Sequence, residues 1–232
     1  MEHILKSSQL SKYFYQKKAL QKVDINIEKG KIYGILGPNG GGKSTFLKLA
    51  AGLLKPSEGE ILIDGKKPGV YTKSIVSYLP EGNYFYKWMR IQDALSFFGD
   101  FYADFDVEKA RQNFDFMKLD EKEKISSLSK GMLGRLKLSL AMSRNASLFL
   151  LDEPLNGIDP ISREKIITSI LEAFNPKSTI IICSHLIVYI EKLLDYVFFL
   201  SEGQIILEGN VEDLRNKKNL SIDQLYQEVF QS

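Results

Sequence analysis

Apolar and polar residues alternate between positions 3 and 29. Val23, Ile25 and Ile27 fall on one side and Asp24 and Asn26 on the other, the period of half-buried strands. Glu28-Lys29-Gly30-Lys31 ends that stretch as a turn and leads into Ile32-Tyr33-Gly34-Ile35-Leu36, an unbroken apolar run. Phe46 to Leu54 then reads as an amphipathic helix. Lys55 to Glu60 is a strong turn signal, Ile61-Leu62-Ile63 a short strand closed by Asp64-Gly65, and Ser74 to Leu79 another strand, stopped by Pro80. From about Ile91 to Arg144 the period becomes helical. Ala94, Leu95, Phe98 and Phe101 mark one face, and Ala110, Phe114 and Met117 the next. Leu133, Leu136, Leu138, Leu140 and Ala141 form a third, with Arg135 and Lys137 among them. Ser147 to Leu151 returns to a buried strand that Asp152-Glu153-Pro154 ends. Asp159-Pro160 opens a helix with an N-cap and a first-turn proline, its core face Ile166, Ile167, Ile170 and Phe174. Thr179 to Cys183 is a further buried strand, followed by Ser184-His185 and a helix through Leu194. Tyr196–Leu200 and Gln204–Leu207 flank a Ser201-Glu202-Gly203 turn as a hairpin, and the chain from Asn210 onward is short, charged and helical. A helical block set between sheet strands predicts one α/β domain, with residues 1–81 and 145–232 as the core and 82–144 as a helical subdomain.

Composition narrows the classes. The 232 residues suffice for one large domain with a subdomain. Lysine plus arginine total 31 against 29 aspartates and glutamates, a net charge of +2, which argues against a dedicated polyanion binder, so no nucleic-acid partner is expected. The single cysteine, Cys183, excludes an internal disulfide framework and suits a reducing compartment. No apolar run approaches the roughly 20 residues that span a bilayer, and Met1 to Lys6 has no signal-peptide core. The expectation is a cytoplasmic protein that reaches a membrane only through a partner.

The chemistry is concentrated in Gly37-Pro38-Asn39-Gly40-Gly41-Gly42-Lys43-Ser44-Thr45, which lies between the predicted strand ending at Leu36 and the helix beginning at Phe46. The pattern G-x-x-x-x-G-K-[ST] in a strand–turn–helix context binds the phosphates of a nucleoside triphosphate. Its glycines let backbone N–H groups converge on phosphate oxygens, and the helix N-terminus adds positive potential. Lys43 is expected to reach the β- and γ-phosphates and the Ser44 hydroxyl to ligate Mg²⁺. Asp152 and Glu153 end the next buried strand. A carboxylate at a strand C-terminus faces ligands in parallel sheets, so Asp152 is expected to hold the Mg²⁺ complex and Glu153 to accept a proton from an attacking water. His185 follows another strand of the same layer; it is either structural or a donor that positions that water. Tyr13-Phe14-Tyr15 offers a ring to stack on a purine, or is simply a sheet aromatic cluster.

With these residues in hand, the chain resembles the nucleotide-binding ATPase subunit of an ABC transporter over essentially its whole length. Gly37 to Thr45 matches Walker A and Leu148 to Glu153 Walker B with the catalytic glutamate. Leu128-Ser129-Lys130-Gly131-Met132 matches the signature, usually LSGGQ. Asn156-Gly157-Ile158-Asp159 matches the D-loop, and His185 the switch histidine. The resemblance implies a RecA-like P-loop core with an antiparallel β subdomain and an inserted helical subdomain. It implies ATP and Mg²⁺ as cofactors, Phe14 as the adenine platform, and Ser129, Gly131 and Asp159 as residues meeting the nucleotide across a dimer. Two departures stand out. Glu81 occupies a position usually held by glutamine, where it still offers Mg²⁺ an oxygen but adds charge near the γ-phosphate. Lys130 and Met132 replace the usual glycine and glutamine of the signature, a variant similar to those of exporters with separately encoded membrane subunits.

The resemblance therefore implies an ATPase that pairs head-to-tail with a second nucleotide-binding subunit. It drives membrane transporter subunits, most simply for export, from the cytoplasmic face. Tyr84, Phe85, Tyr86 and Trp88 form either a docking groove for those subunits or packing inside the helical block. The rival readings are a soluble nucleic-acid- or ribosome-associated ATPase of the same superfamily and a regulatory ATP switch. The tandem cassettes, charged linker or long coiled coil of the former are not in this sequence.

Overall fold

A computed structural model describes residues 2–174 and 176–231. Two long strands open the chain, β1 (His3–Phe14) and β2 (Lys17–Glu28). Then come β3 (Ile32–Leu36), α1 (Lys43–Ala50), β4 (Glu58–Ile63), α2 (Val70–Ile75) and β5 (Val76–Leu79). The helical block follows as α3 (Ile91–Phe101), α4 (Val107–Met117) and α5 (Lys130–Met142). The chain closes with β6 (Leu148–Asp152), α6 (Pro160–Ala173), β7 (Thr179–Ser184), α7 (Ile187–Ile190), β8 (Tyr196–Ser201), β9 (Gln204–Asn210), α8 (Val211–Lys218) and α9 (Ile222–Gln231).

Among the described residues these strands make two sheets. β2-β1-β4 is antiparallel, and β5-β6-β7-β3-β8-β9 is parallel except for the β8–β9 hairpin. Strand burial follows from position in the sheet. All five residues of β3 and of β6 and all six of β7 are buried, as interior strands covered on both faces require, whereas edge strand β9 alternates. One face of the large sheet packs on α1 and the small sheet through Tyr33, Ile35, Phe46, Leu150, Ile181 and Phe198. The other packs on the helical block and C-terminal helices through Leu36, Phe149, Leu151, Ile182 and Phe199. This is the mixed α/β, P-loop-type architecture that the sequence implies.

Several local readings change: the helix after His185 ends at Ile190 rather than Leu194, the helix after the glycine-rich loop is Lys43–Ala50 rather than Phe46–Leu54, and Glu58–Glu60 open β4 rather than close the turn. Ser74 and Ile75 belong to α2, so the strand begins only at Val76. Phe101 lies on the solvent side of α3, 68% exposed, and stacks on Phe97, also exposed, with centroids 5.8 Å apart. Ile91, Ala94, Leu95 and Phe98 carry that helix into the core.

The topology sets the site. β3, β6 and β7 run parallel, with Leu36 beside Ser184 and Asp152 beside Cys183. Their C-terminal ends therefore deliver the Gly37–Gly42 loop, the Asp152-Glu153 pair and His185 to one edge of the sheet, where ligands of open α/β sheets bind.

Candidate functional site

The loop between β3 and α1 is close to the structure behind it. A Cβ on Gly37 would stand 2.0 Å from the Leu200 carbonyl oxygen, and Gly42 takes φ +112° with the Ala19 carbonyl 2.5 Å from where its Cβ would lie. Only glycine fits either position. Gly42 is also the N-cap of α1, so the helix starts at Lys43 with its first N–H groups turned to the loop. The Lys43 ammonium donates to the carbonyls of Gly37 (2.7 Å) and Pro38 (3.1 Å) and lies 3.8 Å from Glu153 Oε1.

Ser44 Oγ donates to Asp152 Oδ1 at 2.9 Å. Burial pushes the Asp152 carboxyl up, the Ser44 hydroxyl opposes that, and the charges of Glu81 and Glu153 push it further up. Glu153 has left-handed backbone (φ 49°), a strained setting for a residue with a side chain, and is buried. Its Oε2 accepts from Ser184 Oγ (3.3 Å) and lies 2.9 Å from His185 Nδ1. Glu81 Oε1 accepts from Asn156 Nδ2 at 2.8 Å, and its carbonyl accepts from Lys137 Nζ at 2.6 Å.

These groups line a cleft of ≈ 470 Å³ with Phe14 at its wall. Of the expected residues, Phe14, Asn39, Gly40, Gly42, Lys43, Ser44, Thr45, Glu81, Glu153 and His185 line it directly. Asp152 joins through its bond to Ser44, and Gly37, Pro38 and Gly41 form the loop behind. Of the three neighbouring aromatics only Phe14 faces the cleft. Tyr13 Oη donates to Glu58, and Tyr15 stands fully in solvent. Lys12 Nζ lies 5.2 Å from the Phe14 ring centroid. Ser129, Gly131 and Asp159 are not brought into this cleft. They cluster with one another instead. Ser129 caps α5 by accepting from the Met132 N–H, Asp159 caps α6 by accepting from the Ser162 N–H, and Asp159 Oδ2 is 3.9 Å from a Gly131 Cβ position.

The cleft also has lining that the motif reading missed: Lys17, Ala19 and Asn156. Asn156 stood inside a recognised motif, and its bond to Glu81 could not be read from spacing. Lys17 and Ala19 come from the far strand of the β1–β2 hairpin, a tertiary contact without a local signal. The hard oxygen donors Ser44, Asp152 and Glu81 suit a small divalent cation held mainly by phosphates, the way Mg²⁺ is bound. Among the described residues no cluster of three His, Cys, Asp or Glu forms an all-protein cage.

The family model for ABC transporters matches residues 20–156, more than half of the chain and the whole stretch from the phosphate loop to the Asp152-Glu153 pair. The chain belongs to the ABC transporter family. This cassette is 30% identical over 225 residues to the lantibiotic transport ATP-binding protein SrtF of Streptococcus pyogenes, covering 96% of this chain and 97% of that one. It is also 30% identical over 246 residues to a probable branched-chain amino acid transport ATP-binding protein, LivG, of Archaeoglobus fulgidus (92% and 91% covered). The solved ADP conformation of the cassette MJ1267 superposes with a TM-score of 0.78 at 27% identity over 99% of both chains. The cassette is thus the ATP-binding subunit of an ABC transporter, an ATPase coupled to transport. Subunits of this kind work with membrane subunits and with a second cassette. No helix among the described residues is long and apolar enough to cross a membrane.

Proposed function

We propose that this cassette hydrolyses ATP at a site completed by a second cassette and passes the resulting motion to separately encoded membrane subunits. The observation that carries the reading is the convergence of Lys43, Ser44–Asp152 and Glu153–His185 at one sheet edge, while Ser129 and Gly131 stay outside that cleft on the exposed start of a helix. A segment with the family's signature and no place in its own site is suited to a neighbour's.

In this reading Phe14 stacks on the adenine, and the loop N–H groups and the α1 N-terminus hold the phosphates. Lys43 leaves the Gly37 and Pro38 carbonyls for phosphate oxygens. Ser44, Asp152 and Glu81 would hold Mg²⁺, whose charge would offset that of the phosphates. Glu153 takes the proton of the attacking water, and His185 fixes the Glu153 carboxylate through Nδ1. Ser129 and Gly131 of the second cassette meet the terminal phosphate, with Asp159 bracing that segment.

The surface best suited to the membrane partner is the pair Tyr86 and Trp88. These rings are 66% and 69% exposed and stack with centroids 6.0 Å apart, whereas Phe85 packs on the core, so the aromatic run divides between surface and interior. Export is the narrower reading, and it rests on the variant signature Leu128-Ser129-Lys130-Gly131-Met132. SrtF and LivG match at equal identity, so direction follows the membrane subunits, and co-purified subunits reconstituted in vesicles with ATP outside would decide it by the side on which substrate collects.

Glu153→Gln tests the site. It keeps the shape and removes the base, so ATP binding should persist while turnover falls about 10²–10⁴-fold. ATP, but not ADP, should then collect a dimer visible by light scattering. Turnover at the wild-type rate would remove Glu153 from the chemistry.

A further inference from the structure

The middle of α5 carries a charge where packing alone would favour an apolar residue. Lys137 stands between Leu136 and Leu138, both fully buried, and is itself 7% exposed. Burial pushes its ammonium down to about 8, opposed by the charges of Glu81 and Asp152. Keeping an amine charged in such a place is costly unless its hydrogen bonds do something that a leucine cannot. Its Nζ donates to the carbonyls of Glu81 (2.6 Å) and Gly82 (3.0 Å), near the start of the connection from β5 to the helical block. The Glu81 side chain is held by Asn156, in the turn after β6. So the backbone of Glu81 is tied to the helical block and its carboxylate to the core.

We propose that Lys137 is the positioning residue for Glu81. By pinning the Glu81 and Gly82 carbonyls to α5, it fixes where the Glu81 carboxylate stands in the cleft and links it to the helix whose N-cap is Ser129. Eight residues, about 12 Å of rigid helix, separate Lys137 from that N-cap. A shift of the Glu81 loop is thereby carried to the signature segment without any contact between the two. The inference rests on the reading of Glu81 as facing the metal and the terminal phosphate.

The test uses the full chain and the variants Lys137→Met, Lys137→Arg, Glu81→Ala and the Lys137→Met/Glu81→Ala pair. Thermal melting, calorimetric ATP binding in EDTA, and kcat and KM with Mg²⁺ are measured for each. Lys137→Met should melt cooperatively and bind ATP in EDTA as the wild type does, because Lys43 and Phe14 are untouched. Its kcat should fall about a hundredfold, the scale of a small misplacement of a reacting group, with KM little changed. Glu81→Ala should lose kcat to the same extent, though without that charge near the terminal phosphate it should bind ATP in EDTA at least as tightly as the wild type, and the pair should lose no more kcat than either alone, as residues acting as one unit do. Lys137→Arg, whose forked donors also reach two carbonyls, should recover most of the rate. If the methionine variant does not fold, Lys137→Gln, uncharged and able to donate to one carbonyl, should give the same split. Wild-type kcat in Lys137→Met, or losses that multiply in the pair, would overturn the proposal. A fully active Glu81→Ala overturns it together with the Glu81 assignment, while an inactive Lys43→Ala in the same assay leaves the ATPase reading standing.

Discussion

At the scale of residues, the cleft divides into positions that a motif specifies and positions that only the fold supplies. Lys43, Ser44, Asp152 and Glu153 were readable because their spacing and their place at strand ends are imposed by phosphate and metal chemistry. Residue chemistry left Phe14 as one of three rings, and the resemblance alone singled it out. The hairpin decides among them by turning Tyr13 to Glu58 and leaving Tyr15 in solvent. Phe14→Ala should therefore weaken ATP binding by about 1–3 kcal/mol, the usual range for a base on an aromatic ring, while Tyr13→Ala and Tyr15→Ala change little. Titration calorimetry on the three variants checks this, and a larger loss at either tyrosine would move the adenine elsewhere. Lys137 was legible as a charge inside an apolar helix, but its carbonyl partners lie 55 and 56 positions away and nothing local announces them.

At the scale of elements, long periodic segments declared themselves and short ones did not. α2 has six residues, with only Thr72 buried, so no apolar stripe marks it, and its Ile75 was absorbed into the strand that follows. Phe101 satisfies the helical period yet faces water, because the core ends one turn before the helix does. The junction of the helical block with the sheet rests on Arg144, 3% exposed, which no pattern singles out. Its guanidinium donates to the Val76 carbonyl (2.6 Å), the Ser74 carbonyl (3.0 Å) and Asp104, and lies 3.9 Å from the Tyr102 centroid. Arg144→Met keeps the length and strands those acceptors beside a carboxylate, and about 3–5 kcal/mol of stability should be lost. Urea unfolding measures it. Arg144→Lys should recover only part, since one ammonium cannot replace the fork. A loss below about 1 kcal/mol, the net worth of one ordinary hydrogen bond, would mean that the junction is held elsewhere.

At the scale of the whole molecule, the parallel sheet gathers its chemistry at one edge and leaves the start of α5 facing outward. In the Glu153→Gln background, adding Ser129→Arg puts a bulky cation where the proposed function brings a neighbour's terminal phosphate. The double variant should bind ATP through its own intact loop and remain a monomer by light scattering, in contrast to Glu153→Gln alone. Equal dimerisation of the two would take the Ser129 segment out of the neighbour's site.

Where the second cassette is another copy of this chain, the position of Ser129 outside its own cleft means that two kinds of dead allele should repair each other. Lys43→Ala spoils the phosphate loop and keeps the Ser129 segment; Ser129→Arg does the reverse. Cells or tubes holding only one of them have no intact site. When the two are co-expressed, mixed pairs form in which the sound loop of one copy meets the sound segment of the other, and part of the lost turnover should return. The same arrangement makes a chain defective in both segments a poison for every wild-type copy that it pairs with, so its allele should behave as dominant.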